Sequence, residues 1–403
     1  MRIAFVTPYY WPEDFGAGVQ CAEITDFLVS EGHDVTVFTQ MPNYPKGIIF
    51  SNYVGKETLQ EVHKGSTIIR VKARTSTRED SLAHKALSAM DFARRIRTMF
   101  STGSKFDAVL TVSPPPFVGL SAAKLAKKNR CKLVVRVADL ASLAVETAGA
   151  SKHPGAKVLR HLEIRMLKKA DHLCLAADYF QPFIDQFVGK DKERSVVFDW
   201  ADGDAIRPLP KLNDVSQEWG LTDKFVVMYS GSIGYTSNLM PLLEAAKLLQ
   251  DNSNIRFLIL GEGVKKAELV SFAETHKLKN VEFKPLQPRE KFPSVLATSD
   301  LQVISLTEEG AKSSGQGKLK TILAAGRPVL GILPNDSNES QLLESEKLGF
   351  TLDASSTQAL ADLIARISGQ PQELAEMSER CRNYFMEHFE AKENLRRLTR
   401  PLF

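Results

Sequence analysis

A buried-strand pattern, Phe225-Val-Val-Met-Tyr-Ser230, runs straight into the turn Gly231-Ser-Ile-Gly234, and a helical pattern starts near Asn238. Strand, glycine turn and helix in that order present bare main-chain N–H groups and a helix N-terminus, an arrangement suited to phosphate. A second such unit opens the chain. Residues 2–7 read as a buried strand, Gly16 and Gly18 as its turn, and 19–30 as its helix. One unit in each half of 403 residues predicts an α/β protein with two Rossmann-like domains facing each other across a cleft.

Strand and helix patterns alternate along both halves, which predicts parallel sheets covered by helices. Further strands are expected at 35–39, 68–71, 108–112, 132–137, 173–176 and 195–198, then at 257–260, 281–283, 301–305 and 329–332. Residues 1–201 form the expected first domain. Residues 202–214, polar and proline-containing, form the expected hinge. Residues 215–382 form the second domain, and the charged helical tail 383–403 is expected to pack back on the first.

Composition removes several classes. Cys21, Cys131, Cys174 and Cys381 are scattered without paired spacing, so disulfides and a zinc site are not expected, and a reducing cytoplasm is. No histidine–carboxylate spacing suggests a metal. No apolar run is long enough to span a membrane, and residues 1–8 are too short for a secretory signal. No G-x-G-x-x-G follows either opening strand, which argues against a dinucleotide dehydrogenase.

Charge is uneven. Residues 1–200 carry +7 and the remainder −3, and residues 70–136 hold 15 basic side chains against 4 acidic ones. An anionic partner for the first half follows. In 82–100, Leu82, Ala86, Met90, Ala93 and Phe100 recur near helical spacing, with Lys85, Arg94, Arg95 and Arg97 elsewhere. A docked surface helix has this pattern too. With Lys124, Lys127, Lys128 and Arg130 it also suits an anionic lipid surface. Nucleic acid is not expected, because no recognition motif accompanies the charge.

Three loop groups are candidates for chemistry. The first is the turn at Gly231, Ser232 and Gly234. The second runs from Thr307 to Val329, where a Gly/Ser loop with Gly317 precedes Lys318, Lys318 opens a short helix, Gly326 ends it, and Arg327 leads into a strand. Lys318 there can set an ammonium beside a diphosphate, although a solvated surface lysine is the commoner fate. The third combines Glu13, Gly16 and Gly18 after the first strand, Tyr44 after the second, and Asp139 after the strand at 132–137, on one rim where open α/β sheets bind ligands. Packing of a loop by its own aromatics explains Tyr44 equally well.

At these residues the chain resembles bacterial GT-B glycosyltransferases of retaining family 4, in the branch that builds O-antigen, capsule and exopolysaccharide. The resemblance is collinear over nearly the whole chain. It includes Gly32-His-Asp-Val-Thr-Val37, Pro42-Asn-Tyr-Pro-Lys-Gly47, Ser113-Pro-Pro-Pro-Phe117, Asp199-Trp-Ala-Asp202, Tyr229-Ser-Gly-Ser-Ile-Gly234, Leu260-Gly-Glu-Gly263 and Ala325-Gly-Arg-Pro-Val329. It implies a UDP-sugar donor on the second domain, a lipid-linked saccharide acceptor on the first, and a peripheral place on the inner face of the plasma membrane. Gly231, Ser232, Gly234 and Gly317 would meet the diphosphate, with Lys318 as counter-charge. Gly261, Gly263 and Gln287 would meet the base, Glu339 the ribose or sugar, and Arg327 belongs to the same donor set. Gly16, Gly18, Tyr44, Glu13 and Asp139 would meet the acceptor, with Asp139 and Lys318 as the catalytic pair. No metal or other cofactor is implied. Two glutamates usual in the family are replaced by Ser313 and Thr321. The residues therefore leave open a catalytically silent scaffold of polysaccharide assembly, or a nucleotide-sugar epimerase or hydrolase.

Overall fold

The computed structural model describes residues 1–14, 16–77, 80–100, 105–147, 154–313 and 317–403. Its apolar runs form two sheets, an eight-stranded one and a six-stranded one. The first contains β1 (Arg2–Val6), β2 (Asp34–Gln40), β3 (Thr58–His63), β4 (Ser66–Val71), β5 (Ala108–Ser113), β6 (Lys132–Val137), β7 (His172–Leu175) and β8 (Arg194–Val196). The second contains β9 (Phe225–Ser230), β10 (Ile255–Leu260), β11 (Val281–Lys284), β12 (Leu301–Ser305), β13 (Val329–Ile332) and β14 (Gly349–Leu352).

Strand order across the second sheet is β11-β10-β9-β12-β13-β14, all parallel, which is the doubly wound order. The first sheet, β3-β4-β2-β1-β5-β6-β7-β8, follows the same winding with one antiparallel hairpin at its edge. Central strands are buried, β5 at every residue and β1 at all but Arg2, because helices cover both faces of a parallel sheet. In each sheet the winding reverses beside the first strand, between β1 and β5 and between β9 and β12.

Two strands are absent from the sequence expectation, and both are edge strands. β3 alternates exposed and half-buried residues and carries no apolar run. It pairs with β4 through Lys64-Gly65, both at positive φ (45° and 86°), as a two-residue hairpin turn requires. β14 is four half-buried residues starting at Gly349, where a Cβ would stand 2.1 Å from the Val329 carbonyl oxygen.

The chain divides into two units, Met1–Phe198 with Lys392–Phe403, and Asp199–Ala391. The segment expected as a hinge is anchored within the second unit. Arg382 donates to the carbonyls of Gly203 and Ile206 (both 3.1 Å), Arg327 to that of Leu209 (2.7 Å), and Lys211 pairs with Asp300. Proline and polarity mark this stretch as irregular, yet two guanidinium groups satisfy its carbonyls.

The helix Leu82–Met99 lies where expected but turns a different face inward. Ser88, Phe92, Ala93 and Ile96 are buried, while Leu82, Leu87 and Met90 are 57%, 49% and 45% exposed. Its neighbour, the helix Pro116–Asn129, claims the face carrying Phe92 and Ile96. Two of the counted basic residues, Arg70 and Arg136, are interior and belong to no surface patch.

Candidate functional site

Five of the loops singled out in the second unit leave the carboxyl ends of adjacent strands. Gly231–Gly234 follows β9, Gly261–Gly263 follows β10, Gln287 follows β11, the 306–317 segment follows β12, and Glu339 follows β13. The β9 and β12 loops flank the reversal of winding, where an open α/β sheet leaves a crevice.

Backbone closes this rim on backbone. The Gly231 amide donates to the Leu260 carbonyl at 2.8 Å and the Ile233 amide to the Glu262 carbonyl at 2.9 Å. A Cβ on Gly261 would lie 1.9 Å from the Gly231 oxygen, and one on Gly263 2.2 Å from the Ile233 oxygen. On the other flank, a Cβ on Gly310 would meet the Thr236 oxygen at 2.4 Å, and the Thr307 amide donates to that oxygen at 3.0 Å. Glycine is needed here for close approach.

The expected cradle of amides is corrected by these bonds. Gly231 and Ile233 spend their N–H groups inward, and the Gly234 amide donates to Ser237 Oγ at 3.1 Å. Among the described residues, the Ser232 N–H alone in this turn has no such partner, and Ser232 is exposed. The following helix begins at Met240, not directly at the glycines.

Lys318 supplies what the amides do not. It opens the helix Gly317–Ala324, is half-buried, and places Nζ 2.6 Å from the Tyr229 hydroxyl and 4.0 Å from that ring's centroid. Gly231 makes room: its Cβ would stand 2.3 Å from Lys318 Cε. No carboxylate of the described residues pairs with Lys318, and burial lowers its ammonium to about 8. A partly desolvated ammonium with no carboxylate partner among the described residues has the chemistry to accept an anion.

Other donor-side expectations divide. Gly317 faces open space. Gln287 Nε2 donates to the Pro285 carbonyl at 3.0 Å, and Leu286 beside it is 55% exposed. Glu339 is buried in the first turn of the helix Asn338–Ser345. Arg327 is misassigned by sequence. It precedes β13, at the amino end of the sheet, and its guanidinium holds the carbonyls of Ser299 (3.1 Å) and Leu209. Burial lowers its pKa, and its work is structural. Thr321 Oγ1 donates to the Gly317 carbonyl at 3.2 Å, and the Ser313 side chain lies outside the described residues.

In the first unit, the loops after β1, β2 and β6 share the equivalent rim, and side chains tie them. Glu13 Oε1 accepts the amides of Asn43 (2.8 Å) and Tyr44 (2.9 Å), and Oε2 is buried without a partner. Burial raises the Glu13 carboxyl above the usual range. Glu13 is thus a buried loop tie and not an open side chain on the rim, as its expected role would need. Gly18 is a packing glycine, its Cβ position 2.5 Å from the Glu13 carbonyl oxygen, whereas Gly16 (φ 45°) faces open space. The Tyr44 ring meets Tyr9 edge-on at 5.5 Å. Asp139 is exposed, its Oδ1 accepts the Leu140 amide at 2.7 Å, and the surrounding protein raises its carboxyl. Asp139 and Lys318 belong to different units.

Sequence reading missed Tyr229, Gly310 and Glu163. Glu163, fully buried, accepts the Ala141 and Ser142 amides at 2.8 and 3.2 Å and the Ser142 hydroxyl at 2.5 Å, behind Asp139. Nothing in its helical context sets it apart. Tyr229 was legible only as a strand residue. The described residues contain no cluster able to hold a metal ion and no helix long and apolar enough to cross a membrane.

Residues 15–198 match the glycosyl transferase 4-like domain family, and residues 213–384 match glycosyl transferases group 1. The chain is 28% identical over 350 residues to the putative colanic acid biosynthesis glycosyl transferase WcaI of Escherichia coli K12, covering 81% of this chain and 82% of that one. Among solved structures it is similar to sucrose-phosphate synthase from Thermosynechococcus elongatus (TM-score 0.68, 15% identity, 99% and 98% coverage). It is also similar to Anabaena Alr3699/HepE in complex with UDP (TM-score 0.67, 15% identity, 100% and 99% coverage). Two Rossmann-like units aligned with these enzymes end to end make the GT-B fold.

Proposed function

We propose that this chain, which carries a glycosyl transferase 4-like domain followed by a glycosyl transferases group 1 domain, moves a sugar from a UDP-sugar to a lipid-linked saccharide, with retention of configuration. The observation that carries the reading is Lys318, a cation over Gly231 with no carboxylate partner among the described residues, at the reversal point of the second sheet. A departing diphosphate gains charge as the glycosidic bond breaks. Lys318 and the Ser232 N–H would stabilise that charge more in the transition state than in the bound donor. The leaving phosphate would then accept the proton of the acceptor hydroxyl, so no side-chain base is required. UDP as the nucleotide is supported by the complex of the fold relative HepE. Bacterial polysaccharide as the product class is supported by the similarity to WcaI, a putative colanic acid biosynthesis glycosyl transferase.

On the first unit, Tyr44, Gly16 and Asp139 remain the acceptor-side candidates. Association with an anionic membrane is supported by the exposed Leu82, Leu87 and Met90 on one helix, and by the exposed cations Arg94 on the same helix and Lys124, Lys127 and Lys128 on its neighbour. A silent scaffold is the second reading, favoured by Thr321, whose hydroxyl is tied to its own helix where family members carry a carboxylate.

Calorimetry with UDP and GDP, followed by a transfer assay with UDP-sugars and lipid-linked acceptors, separates the readings. UDP binding with transfer supports the enzyme. Turnover of a UDP-sugar without an acceptor supports an epimerase or hydrolase. Weak or absent UDP binding removes the donor assignment and supports the scaffold. Sedimentation with anionic vesicles at low and high salt tests the surface, since a charge-driven contact weakens as salt rises.

A further inference from the structure

We propose that Tyr229 is a positioning residue for Lys318, so that the phosphate-facing charge of the second rim is a lysine–tyrosine pair set over a glycine. This deepens the donor reading above and rests on it. The two residues come from separate elements, β9 and the helix Gly317–Ala324. Tyr229 is fully buried, and its hydroxyl donates to the Ser232 carbonyl at 2.6 Å. With its proton committed there, the phenol oxygen is left as an acceptor, and Lys318 Nζ donates to it at 2.6 Å. The ring adds a second hold, 4.0 Å from Nζ to its centroid.

The pair also explains Gly231. A Cβ there would stand 2.3 Å from Lys318 Cε and 2.6 Å from Nζ, in the space that the ammonium occupies. The same phenol thus touches the turn through Ser232 and the charge through Lys318, and it fixes one against the other. An ammonium has three donors, and one goes to Tyr229. Those remaining are available to an anion. The inward commitment of the Gly231, Ile233 and Gly234 amides makes this the main source of positive potential in the turn.

The surroundings set a pH signature. Tyr229 is the titratable group in contact with Nζ, Ser237 lies beside the phenol, and no charged side chain among the described residues perturbs Lys318. Burial holds Lys318 near 8, so the free protein loses this charge as pH rises through that value. A bound diphosphate favours the ammonium, so binding above pH 8 takes up a proton.

The test is UDP calorimetry from pH 7 to 10 on the wild type and on Tyr229→Phe, which keeps the ring. The variant should bind UDP about 10-fold more weakly at neutral pH. The midpoint at which affinity falls should move to lower pH, because the ammonium has lost an acceptor. Equal affinity and an equal midpoint overturn the proposal. If the wild type binds no UDP, the donor reading fails by itself, and the pair is judged by NMR titration of labelled lysine. Tyr229→Phe must then lower the Lys318 midpoint, and an unchanged midpoint overturns the pairing. Should Tyr229→Phe not fold, NMR of the wild type labelled at lysine and tyrosine decides. A nuclear Overhauser contact between the Lys318 side-chain end and the Tyr229 ring supports the pair, and its absence overturns it.

Discussion

The second rim is closed by backbone resting on backbone, the first by side chains reaching between loops. Gly231 lies against Gly261 and Ile233 against Gly263, with a half-buried cation above them. In the first unit, Glu13 grips the Asn43 and Tyr44 amides, Arg70 reaches the Trp11 and Gln40 carbonyls, and Glu163 caps Ala141 and Ser142. Both sheets wind alike, so topology does not distinguish the rims. Side-chain size and the sign of their charged groups do. Burial holds the Glu13 and Glu163 carboxyls above their usual range in the first rim, and lowers the Lys318 ammonium in the second. The first rim thus carries buried carboxyls and the second a half-buried cation, Lys318, which sets the two apart.

Gly261→Ala strikes this difference hardest. Its Cβ displaces the main chain of the phosphate turn, and we expect a loss of about 3 kcal/mol in thermal or denaturant unfolding. Stability within about 0.5 kcal/mol of wild type would show that the turn is not held as described. Lys318→Ala comes next, with UDP affinity falling about 100-fold, the scale of a charge-assisted contact, while the melting temperature stays near wild type. Unchanged affinity would transfer the charge role elsewhere. Glu13→Ala should cost about 2 kcal/mol of stability, because two loop amides lose their acceptor, and should leave UDP affinity intact. Lost acceptor binding without lost stability would reinstate Glu13 as an acceptor residue.

The smallest effect is the most specific. Because the folded protein holds the Glu13 proton to higher pH than the unfolded chain does, it binds more protons in that interval. Wild-type stability therefore falls as pH rises from the ordinary glutamate range through the raised value. Glu13→Gln removes that slope while changing stability by less than about 1 kcal/mol, since its amide oxygen can still accept the two N–H groups. Unfolding curves from pH 4 to 8 would reveal whether the slope persists, which would assign it to another group.

Periodicity carried most of the fold. The strands with continuous apolar runs sit within two residues of where their patterns put them, because a strand buried on both faces must be apolar at every position. β3 and β14 were not legible, since an edge strand half in water needs neither length nor apolarity. The inward face of the helix Leu82–Met99 was not legible for a related reason. Ala86 and Met90 satisfy helical spacing as well as Phe92 and Ile96 do, and only the neighbouring helix selects between them.

From residue order alone came the double α/β architecture, the glycine turn after β9, and Lys318 at the start of its helix. These are local facts, written in spacing and residue type. The tertiary structure decided which amides of the turn are spent, that Arg327 serves the opposite end of the sheet, and that Tyr229 meets a lysine 89 residues away. Each of these depends on a partner distant in sequence, and a hydrogen bond is specified by both of its ends.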